Sequence, residues 1–393
     1  MSFSVLTYNA ISPVGLARLP MDYQVGPDIS APDAIMLRSA NLHDEAIPDS
    51  VLAVARAGAG TNNVPVEDLA ERGIVVFNTP GANANAVKEL VIAGMLLAAR
   101  NIWPAARFTA GLSPTNGEFG PTVEKAKKEY AGFELPGRTL GVIGLGAIGV
   151  LVANAAASLG MKVLGYDPAL TVSRAWQLNS AVEHATSLEE LFTRSDLVTA
   201  HVPLIEATRG LIGAQQIATM KPGATLLNFA RAGIVDDQAA VAALDDGRLH
   251  AYICDFPSKD LVAHPKVVAL PHLGASTAEA EENCAVMAAQ QTVDYLVDGN
   301  IRNSVTIGEA VLARTPGATR LAIFNRNVPN MVGQISQVLG EADLNIVDLL
   351  NKSRGEYAYT LLDVEGEVTA DVVEAITAIE GILRVRVLRS ERS

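Results

Sequence analysis

The chain has 393 residues, of which 49% are hydrophobic and 19% are charged, and its formal net charge at pH 7 is −13. At about 100–200 residues per domain, this length predicts two to three domains, and the composition excludes a disordered chain. The acidic balance argues against nucleic acid as a general partner, because phosphate backbones repel an acidic surface. An anionic small substrate would need a local cluster of Arg or Lys.

The two cysteines, Cys254 and Cys284, are too few for a disulfide framework and lack a metal-ligand spacing. They predict a reducing compartment and no metal site. The stretch 1–16 has neither the basic region nor the apolar region of a signal peptide. No apolar run reaches about 18 residues, the length of a membrane-spanning helix. The sequence therefore predicts a soluble, cytoplasmic protein without a membrane partner.

The first stretch of the chain alternates short apolar runs with turn signals, as in "DAIMLRS", "VLAVARAGAG" and "IVVFNTPG". Helical patterns such as "VPVEDLAERG" lie between these runs, and "AVKELVIAGMLLAARNI" has the apolar period of a long helix. Alternation of strands and helices predicts a parallel sheet. We assign residues 1–95 to a first α/β domain, which residues 282–305 complete because the helix after Leu273 is predicted to return to it.

The pattern restarts after Arg138 with the strand "TLGVIGLG" and the helix "AIGVLVANAAASLG". A run of βα units follows, which is long enough for a six-stranded doubly wound sheet. We assign residues 96–281 to this second domain. It is inserted into the first one.

The pattern of alternating strands and helices ends towards the C-terminus. Residues 306–318 contain Gly, Pro and Thr without a long period, which predicts a linker. Residues 319–393 read β-α-β-β-α-β, the ferredoxin-like order. The predicted fold class is therefore α/β, with two Rossmann-like or flavodoxin-like doubly wound domains and a C-terminal ferredoxin-like domain.

The stretch "GVIGLGAIG" contains Gly144, Gly146 and Gly149, directly after an apolar strand and at the start of a helix. Glycines at this spacing permit a tight turn and a close approach of backbone N–H groups to a pyrophosphate. Asp167 ends the next strand, where its carboxylate can accept hydrogen bonds from ribose hydroxyls and would repel a 2′-phosphate. The motif predicts NAD binding; the alternative is a glycine-rich turn without a ligand.

His272 and Arg231 each follow an apolar strand. Taken singly, the histidine is compatible with a structural role and the arginine with a salt bridge. The carboxyl ends of strands in a doubly wound sheet converge on one crevice, however, so the two side chains are expected to meet. A histidine there can exchange a proton near pH 7, and an arginine can hold a carboxylate with two hydrogen bonds. Together with NAD, these groups are suited to oxidising a 2-hydroxy acid.

Five motifs occur in the order and spacing typical of one family: "GVIGLGAIG", "HVPLIEATRGLIG", "NFARAGIVDD", "CDFPSKD" and "PHLGASTAEAEENCA". On these motifs the chain resembles the D-2-hydroxyacid dehydrogenase family over essentially its whole length. "RAGAGTNNVPV" and "VFNTPGANANAVKELV" look like substrate loops of the family, and the last segment resembles the ACT regulatory domain of some members. The resemblance implies a substrate-binding first domain, an NAD-binding second domain and an ACT domain over residues 319–393.

The resemblance also implies residue roles. His272 would be the acid/base, and Arg231 would hold the carboxylate and polarise the C2 oxygen. Asp260 stands where the family has a Glu that pairs with the His, and it is one methylene shorter. Asp255 would contact the nicotinamide amide, although it also fits an ordinary acid at a strand end. The implied cofactor contacts are Gly144, Gly146, Ala147, Ile148, Gly149, Asp167, His201, Val202, Pro203, Thr208, Ala230, Asp255 and Gly274.

The implied substrate contacts are Arg38, Ser39, Ala57, Gly58, Ala59, Asn83, Arg231 and His272. The N–H groups from Ala57 to Gly60 are expected to cradle an anion, or simply to connect a strand to a helix. Some family members carry a second Arg two residues after the first, where this chain has Ala40. The resemblance implies oxidation of 3-phospho-D-glycerate to 3-phosphohydroxypyruvate in serine synthesis, although the absence of that second Arg favours a substrate without a phosphate. The alternatives are a glyoxylate or hydroxypyruvate reductase and an NAD-responsive co-repressor.

The ACT-like segment carries a possible effector site at Asn325, Asn327 and Asn345. Relatives that sense serine have a His where this chain has Asn325. An amino-acid effector is one expectation, and a domain that only assembles subunits is the other. The family implies a homodimer or a homotetramer.

Overall fold

The computed structural model describes residues 2–113 and 119–388, so the end of the predicted C-terminal domain, residues 389–393, lies outside the described residues. The strands are β1 (Ser4–Thr7), β2 (Gln24–Gly26), β3 (Ala34–Leu37), β4 (Ala53–Arg56), β5 (Val75–Phe77), β6 (Thr139–Ile143), β7 (Lys162–Tyr166), β8 (Val182–His184), β9 (Leu197–Ala200), β10 (Ala224–Asn228), β11 (Leu249–Cys254), β12 (Val267–Ala269), β13 (Thr319–Arg326), β14 (Ile346–Arg354), β15 (Tyr357–Val364) and β16 (Ile382–Leu388). The helices are α1 (Pro13–Leu16), α2 (Val66–Glu71), α3 (Ala84–Ala99), α4 (Ile102–Ala110), α5 (Phe119–Ala126), α6 (Ala147–Ser158), α7 (Val172–Ala175), α8 (Leu188–Arg194), α9 (Ala214–Thr219), α10 (Asp237–Asp245), α11 (Lys259–Ala263), α12 (Ala278–Asp298), α13 (Met331–Glu341) and α14 (Ala370–Thr377). Among the described residues, no helix combines the length and the apolar character needed to cross a membrane.

The chain forms two compact units, of which the first contains residues 1–82 and 281–393 and the second contains residues 83–280. The sequence-based boundary at residue 95 falls inside α3, and the structure divides the chain before this helix instead. The reason is packing, because Val87, Val91 and Met95 of α3 belong to the hydrophobic core under the second unit's sheet. Apolar periodicity located the helix but did not indicate which core it covers.

The first unit contains a parallel sheet in the order β2-β1-β3-β4-β5. This is the flavodoxin-like strand order. Strands β3 and β5 are buried along their whole length, as expected for a parallel sheet covered on both faces. Helix α12 packs into the same core through Cys284, Ala285 and Ala288.

The second unit contains a parallel sheet in the order β12-β11-β10-β9-β6-β7-β8. The first six strands of this unit in chain order, β6 to β11, lie in the Rossmann strand order. The expected sheet had six strands, and the structure has seven. The additional strand is the short edge strand β8, whose residues "VEH" are mostly exposed and show no apolar run. The predicted α/β fold class is confirmed.

The C-terminal part of the first unit is an antiparallel sheet in the order β14-β15-β13-β16 with the helices α13 and α14. Alternate residues of β13 point to opposite faces. Leu321 and Ile323 pack with α13 and α14, whereas Ala322 and Phe324 join the core formed by β1, β5 and α12. Both faces of this ferredoxin-like sheet are therefore covered.

Residues 306–318, the predicted linker, form neither a helix nor a strand, but they are anchored. Ile307 and Ala310 are fully buried. The buried Arg320 guanidinium donates to the carbonyl oxygens of Leu312 and Ala313 at 2.9 Å each. Segment 306–318 therefore does not behave as a free tether in the first unit, because its backbone is bonded to the sheet that follows it.

Candidate active site

The glycine-rich turn joins β6 to α6. Gly144 has a φ of +88°, and a Cβ there would lie 2.7 Å from the His201 carbonyl oxygen. A Cβ at Gly149 would overlap the Gly144 carbonyl oxygen, so the first turn of α6 can approach the strand only with a glycine here. At Gly146, by contrast, no protein atom lies within 4 Å of the position of a Cβ. This open space before a helix N-terminus fits the pyrophosphate of a dinucleotide.

Asp167 stands directly after β7 and closes the same turn. Its Oδ2 accepts a hydrogen bond from the Leu145 N–H at 2.8 Å, and its Oδ1 accepts one from the Ala169 N–H at 2.9 Å. The carboxylate is half-buried, so lone pairs remain accessible beside the turn. This placement fits a carboxylate that accepts hydrogen bonds from the ribose hydroxyls of a dinucleotide.

The remaining cofactor candidates follow neighbouring strands of the same sheet. His201 is half-buried, and removal of its imidazole from water lowers its pKa to about 4, so the imidazole is neutral at physiological pH. Its Nε2 lies 3.0 Å from Thr199 Oγ1, and its Nδ1 has no partner among the described residues. In the loop that follows, Thr208 Oγ1 donates to the Pro203 carbonyl oxygen at 2.5 Å and accepts from the Ile205 N–H at 2.9 Å. Val202, Pro203 and Thr208 therefore belong to one ordered loop.

Asp255 directly follows β11 and is only 1% exposed. Its Oδ2 accepts a hydrogen bond from the Gly274 N–H at 3.1 Å, and its Oδ1 is buried without a partner in the described part of the chain. Burial raises the pKa of Asp255, although the Gly274 N–H and the positive charges of His272 and Arg231 favour the charged form. A buried acceptor without a donor is costly, so Oδ1 fits the amide group of a bound nicotinamide.

Arg231 and His272 meet through a residue to which the sequence analysis assigned no role. The ring of Phe256 lies 4.4 Å from the His272 ring between centroids, and the Arg231 Cζ lies 5.9 Å from the Phe256 centroid. Asn228 shapes the arginine loop, since its Nδ2 donates to the Arg231 carbonyl oxygen at 2.9 Å and its Oδ1 accepts from the Ala230 N–H at 3.1 Å. Both catalytic candidates are exposed at this edge of the sheet. The sequence signal for Phe256 was an aromatic residue next to the strand-end acid.

Asp260 lies in the first turn of α11 and is exposed. No hydrogen bond or ion pair joins it to His272 within the described ranges. It faces another acid instead: burial raises the pKa of Asp237, and the negative charges of Asp236 and Asp260 raise it further. The structure therefore does not bring Asp260 and His272 together, and their pairing stays a prediction.

The substrate candidates Arg38, Ser39, Ala57, Gly58 and Ala59 follow β3 and β4 in the first unit, and Asn83 precedes α3 in the second. Arg38 forms an ion pair with Glu281 at 2.7 Å, and both side chains are partly exposed. Arg56 lies beside it and donates from Nε to the Arg38 carbonyl oxygen at 3.1 Å. A second arginine thus accompanies Arg38, on the neighbouring strand and not at position 40.

The expected anion cradle from Ala57 to Gly60 is only partly available. The Ala57 N–H donates to the Leu37 carbonyl oxygen at 2.8 Å, and the Gly58 N–H donates to the Arg56 carbonyl oxygen at 2.9 Å. These two donors already serve the parallel sheet and its turn. Ala57 and Gly58 therefore do not offer their N–H groups to a ligand, and an anion contact in this turn stays a prediction.

The three effector candidates do not form one site within a chain. Asn325 is fully buried near the end of β13 and pairs with Ala358, whereas Asn345 precedes β14, whose first residue pairs with Val364. Ala358 and Val364 lie towards opposite ends of β15, so Asn325 and Asn345 are at opposite ends of the sheet. Asn327 is near Asn325 and donates to the Gly355 carbonyl oxygen at 3.0 Å.

Comparison with known proteins agrees with this geometry. Residues 92–274 match the family described as D-isomer specific 2-hydroxyacid dehydrogenase, NAD binding domain. The chain is 34% identical over 355 residues to the D-3-phosphoglycerate dehydrogenase of Haemophilus influenzae, and the aligned region covers 88% of this chain and 82% of that protein. It is 39% identical over 266 residues to the hydroxypyruvate reductase of Thermotoga maritima, which covers 65% of this chain and 81% of that protein.

Among solved structures, the chain is similar to the NAD+-bound 3-phosphoglycerate dehydrogenase of Entamoeba histolytica. The TM-score is 0.58 at 25% identity, over 77% of this chain and 99% of that chain. The glycine-rich turn, Asp167 and the unpartnered Asp255 Oδ1 fit the same cofactor. The predicted NAD cofactor is confirmed. The chain therefore belongs to the D-isomer-specific 2-hydroxyacid dehydrogenase family and is an NAD-dependent oxidoreductase.

Proposed function

We propose that the chain oxidises 3-phospho-D-glycerate to 3-phosphohydroxypyruvate, the first step of L-serine biosynthesis. The observation that carries the chemistry is the meeting of Arg231 and His272 at Phe256, on the sheet edge that holds the dinucleotide turn. The choice of substrate is supported by the names of the relatives that cover most of the chain.

In this proposal, each residue has a separate task. NAD, when bound, would supply the acceptor for the hydride that leaves C2 of the hydroxy acid. Arg231 holds the substrate carboxylate through two hydrogen bonds and stabilises the C2 oxygen as it becomes a carbonyl. His272 takes the proton of the C2 hydroxyl. Asp255 Oδ1, which is buried without a partner in the described part of the chain, would accept a hydrogen bond from the nicotinamide amide.

The test of the substrate is NADH formation by the purified protein with 3-phospho-D-glycerate, D-glycerate and D-lactate, with the keto acid trapped. We expect kcat/KM to be highest for the phosphorylated acid. Activity on the unphosphorylated acids alone would favour a glyoxylate or hydroxypyruvate reductase. That alternative is supported by Ala40 in place of a second arginine and by the Thermotoga maritima relative. Tight NAD binding without turnover of any 2-hydroxy acid would favour the NAD-responsive co-repressor.

Replacing Arg38 with Met tests the proposed phosphate contact. We expect kcat/KM for 3-phospho-D-glycerate to fall at least about 10-fold, because a charge-assisted hydrogen bond to the phosphate is lost, while kcat/KM for D-glycerate is unchanged. Glu281→Gln should raise kcat/KM for 3-phospho-D-glycerate, since it removes the carboxylate that now pairs with Arg38. Arg18→Met, at an exposed arginine of the same unit, is the control. Equal losses with both acids would contradict the assignment.

Replacing Gly146 with Ala separates NAD binding from folding. The added Cβ meets no protein atom within 4 Å, and the backbone φ of −71° suits any residue, so the free energy of unfolding should be unchanged. We expect the Kd for NAD to rise at least about 10-fold, because the methyl group occupies the space that the pyrophosphate needs. Calorimetric titration with NAD measures this change. Gly340→Ala, also in open space, should leave the Kd unchanged.

Subunit assembly and an amino-acid effector are further parts of the proposal. Helix α4 buries none of its residues within the chain and exposes Ile102 and Trp103, which supports a homodimer or homotetramer formed through the second unit. Because Asn325 and Asn345 lie at opposite ends of one sheet, an effector that contacts both would need two copies of the domain. Light scattering with and without added L-serine tests assembly, and the steady-state rate tests the effector.

A further inference from the structure

We propose that Phe256 is a positioning residue, whose ring holds the His272 imidazole and the Arg231 guanidinium in their working orientations. The inference deepens the proposed function and rests on the roles given there to His272 and Arg231. Phe256 follows Asp255 at the end of β11 and is half-buried, so one part of its ring is fixed by the fold and another part is available to its neighbours.

The first contact is with the histidine. The two ring centroids are 4.4 Å apart and the ring planes are inclined by 44°, so the rings form a close, tilted contact at the short end of the separations of aromatic pairs. The described residues offer the His272 ring nitrogens no hydrogen-bond partner. The imidazole is exposed, and the Phe256 ring is the one aromatic ring that contacts it among the described residues, so this contact restricts rotation of the imidazole.

The backbone of His272 is held separately, and this makes the side chain the adjustable part. Its φ is +20°, a conformation unusual for a residue with a Cβ, and its N–H donates to the Asp255 carbonyl oxygen at 2.9 Å. The Gly274 N–H adds a bond to the Asp255 carboxylate at 3.1 Å. These bonds place the Cα of His272 next to the residue that precedes Phe256, and the tilted contact with the Phe256 ring then sets the direction of the imidazole.

The second contact is with the arginine. The Arg231 Cζ lies 5.9 Å from the Phe256 centroid, within the distance of a cation–π interaction. The same guanidinium donates from Nη1 to the Ala230 carbonyl oxygen at 2.8 Å, which leaves its other N–H groups for a carboxylate. One aromatic ring therefore contacts both groups that act on the substrate, and a change in that ring alters their separation.

The chain contains a matched control for this arrangement. Phe133, in the same unit, also contacts a histidine and an arginine: its centroid is 5.9 Å from that of His250 and 4.8 Å from the Arg138 Cζ. Phe133 packs against a hydrophobic core that the proposed chemistry does not use. Phe133→Leu therefore removes the same kind of ring from the same kind of neighbours.

The experiment compares Phe256→Leu, Phe256→Tyr and Phe133→Leu in the full-length protein. We expect Phe256→Leu to lower kcat about 10- to 100-fold with the Kd for NAD unchanged, because a misplacement of about 1 Å costs that much in a reacting pair. Phe256→Tyr retains the ring and should restore most of kcat. Phe133→Leu should leave kcat unchanged. A loss in Phe256→Leu that appears only in KM, or an equal loss in Phe133→Leu, would overturn the proposal.

A spectroscopic readout makes the test independent of turnover. The chain has six histidines, so selective 13C labelling of histidine gives a spectrum with few signals. The His272 signal is assigned as the one that is missing from the spectrum of His272→Ala. We expect this signal to move in Phe256→Leu, where the ring current is lost, and to remain near its place in Phe256→Tyr. If Phe256→Leu does not fold, Phe256→Met serves in its place. An unmoved His272 signal in Phe256→Leu would overturn the proposed ring contact. If the signal moves but the His272→Ala variant turns over normally, only the proposed catalytic role of His272 is overturned.

Discussion

Replacing His272 with Ala is expected to lower kcat at least about 100-fold, the contribution of a positioned general base. The imidazole is exposed at the edge of the second unit's sheet, beside Arg231 and Phe256, and it has no structural hydrogen bond from its ring among the described residues. Its removal should therefore leave the fold and the Kd for NAD unchanged. Steady-state turnover, with calorimetric titration of NAD, measures both quantities.

His184→Ala is the matched control, because His184 is also exposed in the same unit but lies on the edge strand β8. Its kcat should equal that of the wild type. The Arg231→Lys variant should lose nearly as much kcat as His272→Ala, since a lysine ammonium cannot hold a carboxylate through a planar pair of donors. Near-normal turnover in His272→Ala would remove His272 from the mechanism.

The second large effect is on stability: Arg320→Met is expected to lower the free energy of unfolding by about 3–5 kcal/mol. Arg320 and Asp363 are both fully buried and form two hydrogen bonds, at 2.6 and 2.9 Å. Arg320 also donates to the carbonyl oxygens of Asp298, Leu312 and Ala313. Its loss would leave the Asp363 carboxylate uncompensated in the interior and would release segment 306–318. Chemical denaturation measures the change.

Two variants identify the cause of that loss. Arg320→Met combined with Asp363→Leu removes both charges, and it should recover much of the stability because no lone buried charge remains. Arg302→Met breaks exposed ion pairs with Asp294 and Glu309 and should cost no more than about 1 kcal/mol. If the double variant is as unstable as Arg320→Met alone, the buried charge is not the cause.

The same pair predicts how stability depends on pH. Burial alone would raise the pKa of Asp363, but hydrogen bonds from Arg320 and from the Thr315 N–H outweigh it and hold this pKa below its ordinary value. A depressed carboxyl pKa stabilises the fold above the unfolded-state value of about 3.9, and the contribution is lost as the pH falls through the folded-state value. Below about pH 4, the wild type should therefore lose more stability than the double variant.

Several features of the fold follow directly from local sequence patterns. The alternation of apolar runs and helices predicted parallel sheets, and β-α-β-β-α-β predicted the antiparallel sheet of residues 319–388. The glycine spacing at positions 144, 146 and 149 predicted a strand-turn-helix, in which a Cβ would meet backbone atoms at positions 144 and 149 and open space at position 146. The edge strand β8 was not predicted, because its residues "VEH" are mostly exposed and show no apolar run.

The sequence by itself determined the fold class, the dinucleotide turn and the strand ends that carry Arg231 and His272, because each depends on neighbouring residues. Only the tertiary structure decided which core α3 covers, that segment 306–318 is anchored, and that Asn325 and Asn345 lie at opposite ends of their sheet. It also decided that the ring of Phe256 contacts His272, whereas Asp260 does not. The physical reason is that backbone periodicity and turn strain act between residues close in the chain, whereas side-chain contacts depend on how separate strands are arranged in space.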